Sequence, residues 1–209
     1  MGEAWRVIRA ALRDTWSDLL TTAVCSLLWI VANLLLVTGP PATVALFYVT
    51  NRMAHGEFAD PRDFLRALRR YFGIGWRWGL VNGVVLLLLV GDVIITGRLS
   101  QSDVARLAQG FFLAGLAIWL LLQLYVLPFL LEQETPSVRL ALRNGVAMLG
   151  GNILFSVTLG VLLVLALLAG TIFFCVAFAA GGVFVALVGN HAVLNRLAAH
   201  RAAQEQENL

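Results

Sequence analysis

A polar or ionisable side chain inside an apolar run is costly to place, so such residues are where chemistry is first sought. Asp92, in LLLLVGDVIITGR, is the carboxylate that falls within a long apolar run; facing other helices it would take up a proton or a cation, or pair with an Arg. Gln123, Asn190 and His191 are the other groups able to line a polar path there. Each also has a plainer role. Asp92 stands about five residues, or ~8 Å of helix rise, before Gly97 and an aqueous surface. Gln123 with Tyr125, and Asn190 with His191 and Asn195, are the kind of group that bonds one membrane helix to another. His55, His191 and His200 occur singly, without the Cys or carboxylate spacing of a metal site, and no cofactor is implied. Glu132 and Glu134 read as a solvated loop within pairing reach of Arg139 or Arg143. The chain has no GxxxxGK[ST], GxSxG or HExxH sequence, and the expectation is a protein that is not an enzyme.

A second chemistry-bearing set is cationic. Arg62, Arg66, Arg69 and Arg70 follow one another in DPRDFLRALRRYF, and Arg139 and Arg143 recur in TPSVRLALRN. Both segments begin with a capping pattern, Asp60-Pro61 and Thr135-Pro136, which starts a helix with the proline where no N–H is missed. In the first, Phe64, Leu68, Tyr71 and Phe72 make an apolar stripe with the Arg side chains largely off it, as expected of an amphipathic helix (60–72) on a headgroup layer. The second is read as a helix over 136–146. These six Arg are candidate contacts for anionic lipid or a protein partner.

The elements that position these residues are set by composition. Of 209 residues 60% are apolar and 13% charged, with mean hydropathy +0.84, which excludes an ordinary soluble enzyme. The net charge of +3 comes from 15 basic residues, all Arg, falling between apolar runs rather than on one groove-tracking face, so no nucleic-acid partner is expected. Cys25 and Cys175 lie in apolar stretches and read as packing residues. About 20 apolar residues cross a ~30 Å hydrocarbon core. By that measure membrane helices are expected over 19–37, 76–96, 111–131, 152–169 and 171–194, with a short one over 42–53 after the Gly39-Pro40-Pro41 break. The last two are expected to form a tight hairpin about Gly170, with Gly160, Gly170, Gly181, Gly182 and Gly189 as close-packing positions. Ser100 and Asp103 suggest a capped start to the fourth. Residues 1–18, with Trp5, Ile8, Leu12, Trp16 and Leu19 at spacings of three and four and Arg6, Arg9 and Arg13 on another face, form an interfacial helix rather than a cleaved signal, and 197–209 a polar tail.

The expected fold is therefore all-α, a polytopic transmembrane bundle of about six membrane-embedded helices with amphipathic interfacial helices. If 42–53 crosses, thirteen Arg lie on one side and only Arg98 and Arg106 on the other; if it alone is re-entrant, the split is ten to five. The positive-inside rule favours crossing, with both termini cytoplasmic. A faint repeat of cap, short Arg-bearing helix and span, with Ala67-Leu68-Arg69 echoed at Ala141-Leu142-Arg143, hints at duplication.

Several of these signatures occur together elsewhere. Pro41-Ala42-Thr43 opening the short helix, the Arg-Met-x-x-Gly-Glu exit from Arg52 to Glu57, the Phe64-bearing helix and the Tyr125-x-x-Pro128 step give the chain a form that resembles the YesL family of bacterial integral membrane proteins, with Arg here in place of Lys. The resemblance brings no assigned catalytic residues. It implies an inner-membrane context near carbohydrate uptake by ABC transporters, and a role as an accessory or assembly component touching permease or ATPase subunits. A small autonomous transporter or channel, self-associating or alone, and a lipid-binding membrane protein are the competing expectations.

Overall fold

The structure, a computed structural model, describes residues 2–17, 19–35, 37–99, 103–172 and 174–207, and the side chains of these except at 17, 19, 99, 170–181, 200, 202, 203 and 205–207. The described residues form nine α-helices and no strand: α1 (Gly2–Ser17), α2 (Leu19–Leu34), α3 (Gly39–Ala54), α4 (Pro61–Arg70), α5 (Phe72–Leu99), α6 (Asp103–Leu131), α7 (Val138–Gly151), α8 (Ile153–Ile172) and α9 (Phe174–Glu207).

The short helix is the centre of the bundle. Pro40 and Pro41 occupy the first turn of α3, where a missing N–H costs no helical bond. From there Ala42, Val44, Ala45, Leu46, Phe47, Val49 and Thr50 are all buried, because α2, α4, α5, α6 and α9 surround them. Its 16 residues span ~24 Å, less than a hydrocarbon core. α3 lies antiparallel to the first part of α5: Tyr48 meets Tyr71 with ring centroids 5.6 Å apart, and Gly75 lies so close to Pro41 that a Cβ would come within 2.6 Å of its Cα. Pro40 fits against Gly79, and Trp76 Nε1 donates to the Val37 carbonyl at 2.9 Å. The α2–α3 turn thus lies level with Trp76 to Gly79 of α5.

Beyond that level α5 and α6 continue as a hairpin. Trp78 Nε1 donates to Gln123 Oε1 at 3.0 Å and Trp119 Nε1 to Asn82 Oδ1 at 2.8 Å, so tryptophans and amides join the pair. From Gly79 to Arg98 and from Asp103 to Leu121 no described residue is buried, and Leu80, Val84, Leu87, Leu88, Phe111 and Leu120 are open to the surroundings. Apolar surface uncovered on this scale fits a hydrocarbon solvent rather than water.

Among the described residues three helices are long and apolar enough to cross a membrane: Phe72–Arg98, Asp103–Leu131 and Gly182–Ala199. The count rises to five if each of two bent pairs is one span, α1 with α2 at 95° and α7 with α8 at 99°. The sixth expected span, 42–53, is absent from that count because α3 is too short. Other boundaries shift as well. α6 begins at Asp103, ahead of the 111–131 stretch expected to cross, while Ser100 lies outside the described residues. Pro128 sits inside α6, whose helix runs on to Leu131. Gly170 is helical within α8, which is described to Ile172, and α9 is described from Phe174; position 173 lies outside the described residues. Residues 198–207, expected as part of a polar tail, continue α9. Gly160, Gly182 and Gly189 do pack closely, against Leu121, Trp29 and the Leu124 carbonyl respectively, whereas Gly170 and Gly181 fall among the undescribed side chains.

Candidate functional site

The polar groups gather at the end of the bundle where α3 and α9 emerge beside α4. Asp60 caps α4, its Oδ1 accepting from the Arg62 N–H at 2.7 Å, while Asp63 Oδ2 accepts from the Asp60 N–H at 3.0 Å to complete a capping box. Asp63 is nearly buried, with 7% of its side chain exposed, and is held by Arg52 Nη1 at 2.7 Å and Arg66 Nη2 at 2.6 Å. Arg52 also donates to Glu57 Oε2 at 2.9 Å. A carboxylate with two guanidiniums and a backbone N–H has its charge matched, so Asp63 anchors α4 to α3.

The apolar stripe expected of this helix is used inside the protein: Phe64, Ala67 and Tyr71 bury one face against α3, while Phe72 is exposed. Burial pushes the Tyr71 phenol up, with Arg70 opposing and Tyr48 adding to the shift. The cationic face is turned outward: Arg62, Arg66, Arg69 and Arg70 are exposed, and the Arg70 guanidinium stacks 5.4 Å from the Tyr71 ring centre. Arg62 and Arg69 have no ion pair among the described residues.

A second cluster joins α3, α6 and α9. Asn190 is fully buried, its Nδ2 donating to Thr50 Oγ1 at 2.9 Å and to the Ala186 carbonyl at 3.0 Å. Its Oδ1 accepts from Asn51 Nδ2 at 3.2 Å, and Asn51 Nδ2 also reaches Glu132 Oε1 at 2.8 Å. His55 Nε2 lies 3.6 Å from the same carboxylate oxygen. Glu132 therefore meets Asn51 and His55 rather than Arg139 or Arg143, and Glu134 is exposed. The buried Asn190 amide is satisfied on both its nitrogen and its oxygen within the protein, which makes the cluster a helix-bonding device.

His191, next to Asn190, turns elsewhere: its Nε2 lies 2.7 Å from Asp14 Oδ2 and ties α9 to α1. Arg196 continues that seam, with Nη2 2.9 Å from Glu3 and its guanidinium 4.0 Å over Phe155. Gln123 bonds to Trp78, its Nε2 unpartnered. Asp92 lies fourteen residues, or ~21 Å of helix, further along α5 than Trp78 and has no carboxylate partner among the described residues. The structure brings Asn190 to Asn51, Thr50 and Glu132, and it leaves Asp92, Gln123 and His191 on three separate partnerships.

Arg139 and Arg143 are exposed on α7, which begins at Val138 rather than 136. Ser137, not Thr135, is the N-cap residue, and its N–H is taken by Gln133 Oε1 at 2.8 Å. Ala141, Gly145 and Met148 seat α7 against α6, with Gly145 beneath Leu122 and Val126. No group of three His, Cys, Asp or Glu able to hold a metal occurs among the described residues. A groove of about 530 Å³ between α6, α8 and α9 is walled wholly by apolar residues such as Leu121, Leu124, Val161 and Val185 and offers no reacting group.

Fold and site together define an all-helical protein of membrane type whose buried amides join helices and whose α4 and α7 Arg side chains face outward. Residues 22–93, from α2 through most of α5, match the family model described as "Protein of unknown function, DUF624", the domain of YesL-like proteins. No curated protein and no solved structure matches the chain. The matched segment contains Arg52, Asp63 and the whole of α4.

Proposed function

We propose that the protein is a non-catalytic accessory or assembly component of a bacterial inner-membrane carbohydrate-uptake system, docking permease or ATPase subunits of an ABC transporter. One observation carries this reading: α4 is capped, buried on one face and fastened to α3 through Asp63, yet presents four Arg side chains outward. A rigid element with unmatched guanidiniums is suited to an acidic protein surface. The YesL resemblance supplies the carbohydrate context; the DUF624 match over residues 22–93 supports the resemblance alone. Thirteen Arg against two argue for a cytoplasmic Arg-rich end and cytoplasmic termini.

An autonomous transporter is the weaker reading, since Asp92, Gln123, Asn190 and His191 form no common path. The test is affinity purification of the tagged protein from its host in mild detergent with mass spectrometry. Stoichiometric transporter subunits, lost in R62Q/R69Q/R70Q, are expected. Arg66 is spared because it holds Asp63. Subunits retained by that variant would remove α4 as the docking face, and recovery of the protein alone would remove the accessory role.

A further inference from the structure

The first helix has three faces with different surroundings. Ala4, Val7, Ile8, Ala11 and Thr15 are buried, against α9 and α8. Next to that face, Trp5, Leu12 and Trp16 form one stripe by their spacing of seven and four, and they stay 57%, 39% and 57% exposed. On the other flank of the stripe, Arg6, Arg9 and Arg13 wall a recess of about 440 Å³. A second recess of about 280 Å³ lies between α1 and α9, sharing Arg6 and bounded by His191 and Asn195.

These guanidiniums are poorly matched within the protein. Asp14, beside Arg13 at 3.4 Å, is engaged at 2.7 Å by His191. Glu3 is 3.9 Å from Arg6 but 2.9 Å from Arg196. Arg9 has no ion pair among the described residues. α1 also lies at 95° to α2, the orientation of a helix in the membrane plane. Tryptophan rings settle at the level of the lipid headgroups, so the stripe sets the depth of the neighbouring Arg face at the phosphate layer. Planar guanidinium groups take two phosphate oxygens at once.

We propose that the Arg6–Arg9–Arg13 recess of α1 binds the phosphodiester headgroup of an anionic phospholipid, with Trp5 and Trp16 seated beside it in the interface. This site is separate from α4 and stands whether or not a transporter partner exists.

The full-length protein, delipidated in non-ionic detergent, is titrated with phosphatidylglycerol and with phosphatidylcholine, and retained lipid is counted by native mass spectrometry. The wild type is expected to prefer phosphatidylglycerol. R6Q/R9Q/R13Q should lower that affinity about 10- to 100-fold while phosphatidylcholine retention is unchanged, and R98Q/R106Q, near the end of α5 and the start of α6, should have no effect. R9Q alone alters a side chain with no ion pair in the protein and should give about a fivefold loss, which keeps the test decisive if the triple variant misfolds. Equal retention of both lipids by the wild type, or undiminished phosphatidylglycerol binding in R9Q and the triple variant, overturns the proposal. Complete displacement by millimolar inorganic phosphate would also overturn it, by assigning the recess to a soluble anion.

Discussion

Asp63 separates what a charged residue does from how it looks in a sequence. Its carboxylate receives Arg52, Arg66 and the Asp60 N–H, all in a nearly buried position. Removing the charge leaves Arg52 facing only Glu57, so Asp63→Asn is expected to destabilise by about 1–3 kcal/mol, below the full value for a buried pair because Arg52 is 29% exposed. Glu57→Gln, at a side chain 56% exposed, should fall within about 0.5 kcal/mol of wild type. Thermal unfolding followed by tryptophan fluorescence in one detergent compares the two, and equal midpoints would contradict the anchoring role. The sequence marks Asp60-Pro61 as a cap because capping is local. It cannot mark the Arg52–Asp63 pair or the Asn51–Asn190 bond, which joins residues 139 positions apart, because packing alone brings those partners together. His191 has a legible type but an illegible partner, Asp14, for the same reason.

Helices were legible wherever the chain carries its own breaker or stripe, as at Gly39-Pro40-Pro41 and along Phe64, Leu68 and Tyr71. They were misplaced where tertiary contact decides: the start of α7 moves past Pro136 when Gln133 occupies the Ser137 N–H. Glycine shows the same division. A Cβ at Gly189 would meet the Leu124 carbonyl oxygen at 2.6 Å, a backbone atom that cannot swing aside, whereas one at Gly83 meets nothing within 4 Å. Gly189→Ala is therefore expected to cost about 1–3 kcal/mol through overpacking of α9 on α6. Gly83→Ala should be neutral or stabilise by up to about 1 kcal/mol, since the helix gains an alanine without a clash. Detergent-resistance or thermal midpoints measure both, and a harmless Gly189→Ala would show that the α6–α9 contact has slack.

At the scale of the whole molecule, the depth of the α2–α3 hairpin decides the topology. Its turn lies against Trp76 and Gly79, and from Gly79 to Arg98 α5 runs 19 residues, ~29 Å, which by itself matches a hydrocarbon core. If that hairpin turns back inside the bilayer, α1 and α4 share a side without either α2 or α3 crossing. The thirteen-to-two Arg partition then survives the loss of 42–53 as a span, because both helices turn back together; the ten-to-five split required α2 to cross and α3 to return. Single cysteines at Val37, Arg69 and Asp103, in a chain carrying Cys25→Ala and Cys175→Ala, distinguish the arrangements with a membrane-impermeant thiol reagent. Arg69→Cys and Asp103→Cys are expected to react in vesicles of opposite orientation. Val37→Cys is expected to stay unreactive in the orientation that exposes Asp103→Cys, although Val37 is 61% exposed in the protein itself. Labelling of Val37→Cys together with Asp103→Cys would mean that α2 and α3 both traverse the bilayer. The uncovered half of the α5–α6 hairpin would then have to stand outside it, with Leu87, Leu88 and Phe111 in water. Leu20, Leu27, Val31 and Leu34 of α2 are exposed as well, so labelling at Val37 decides which apolar surface the bilayer covers.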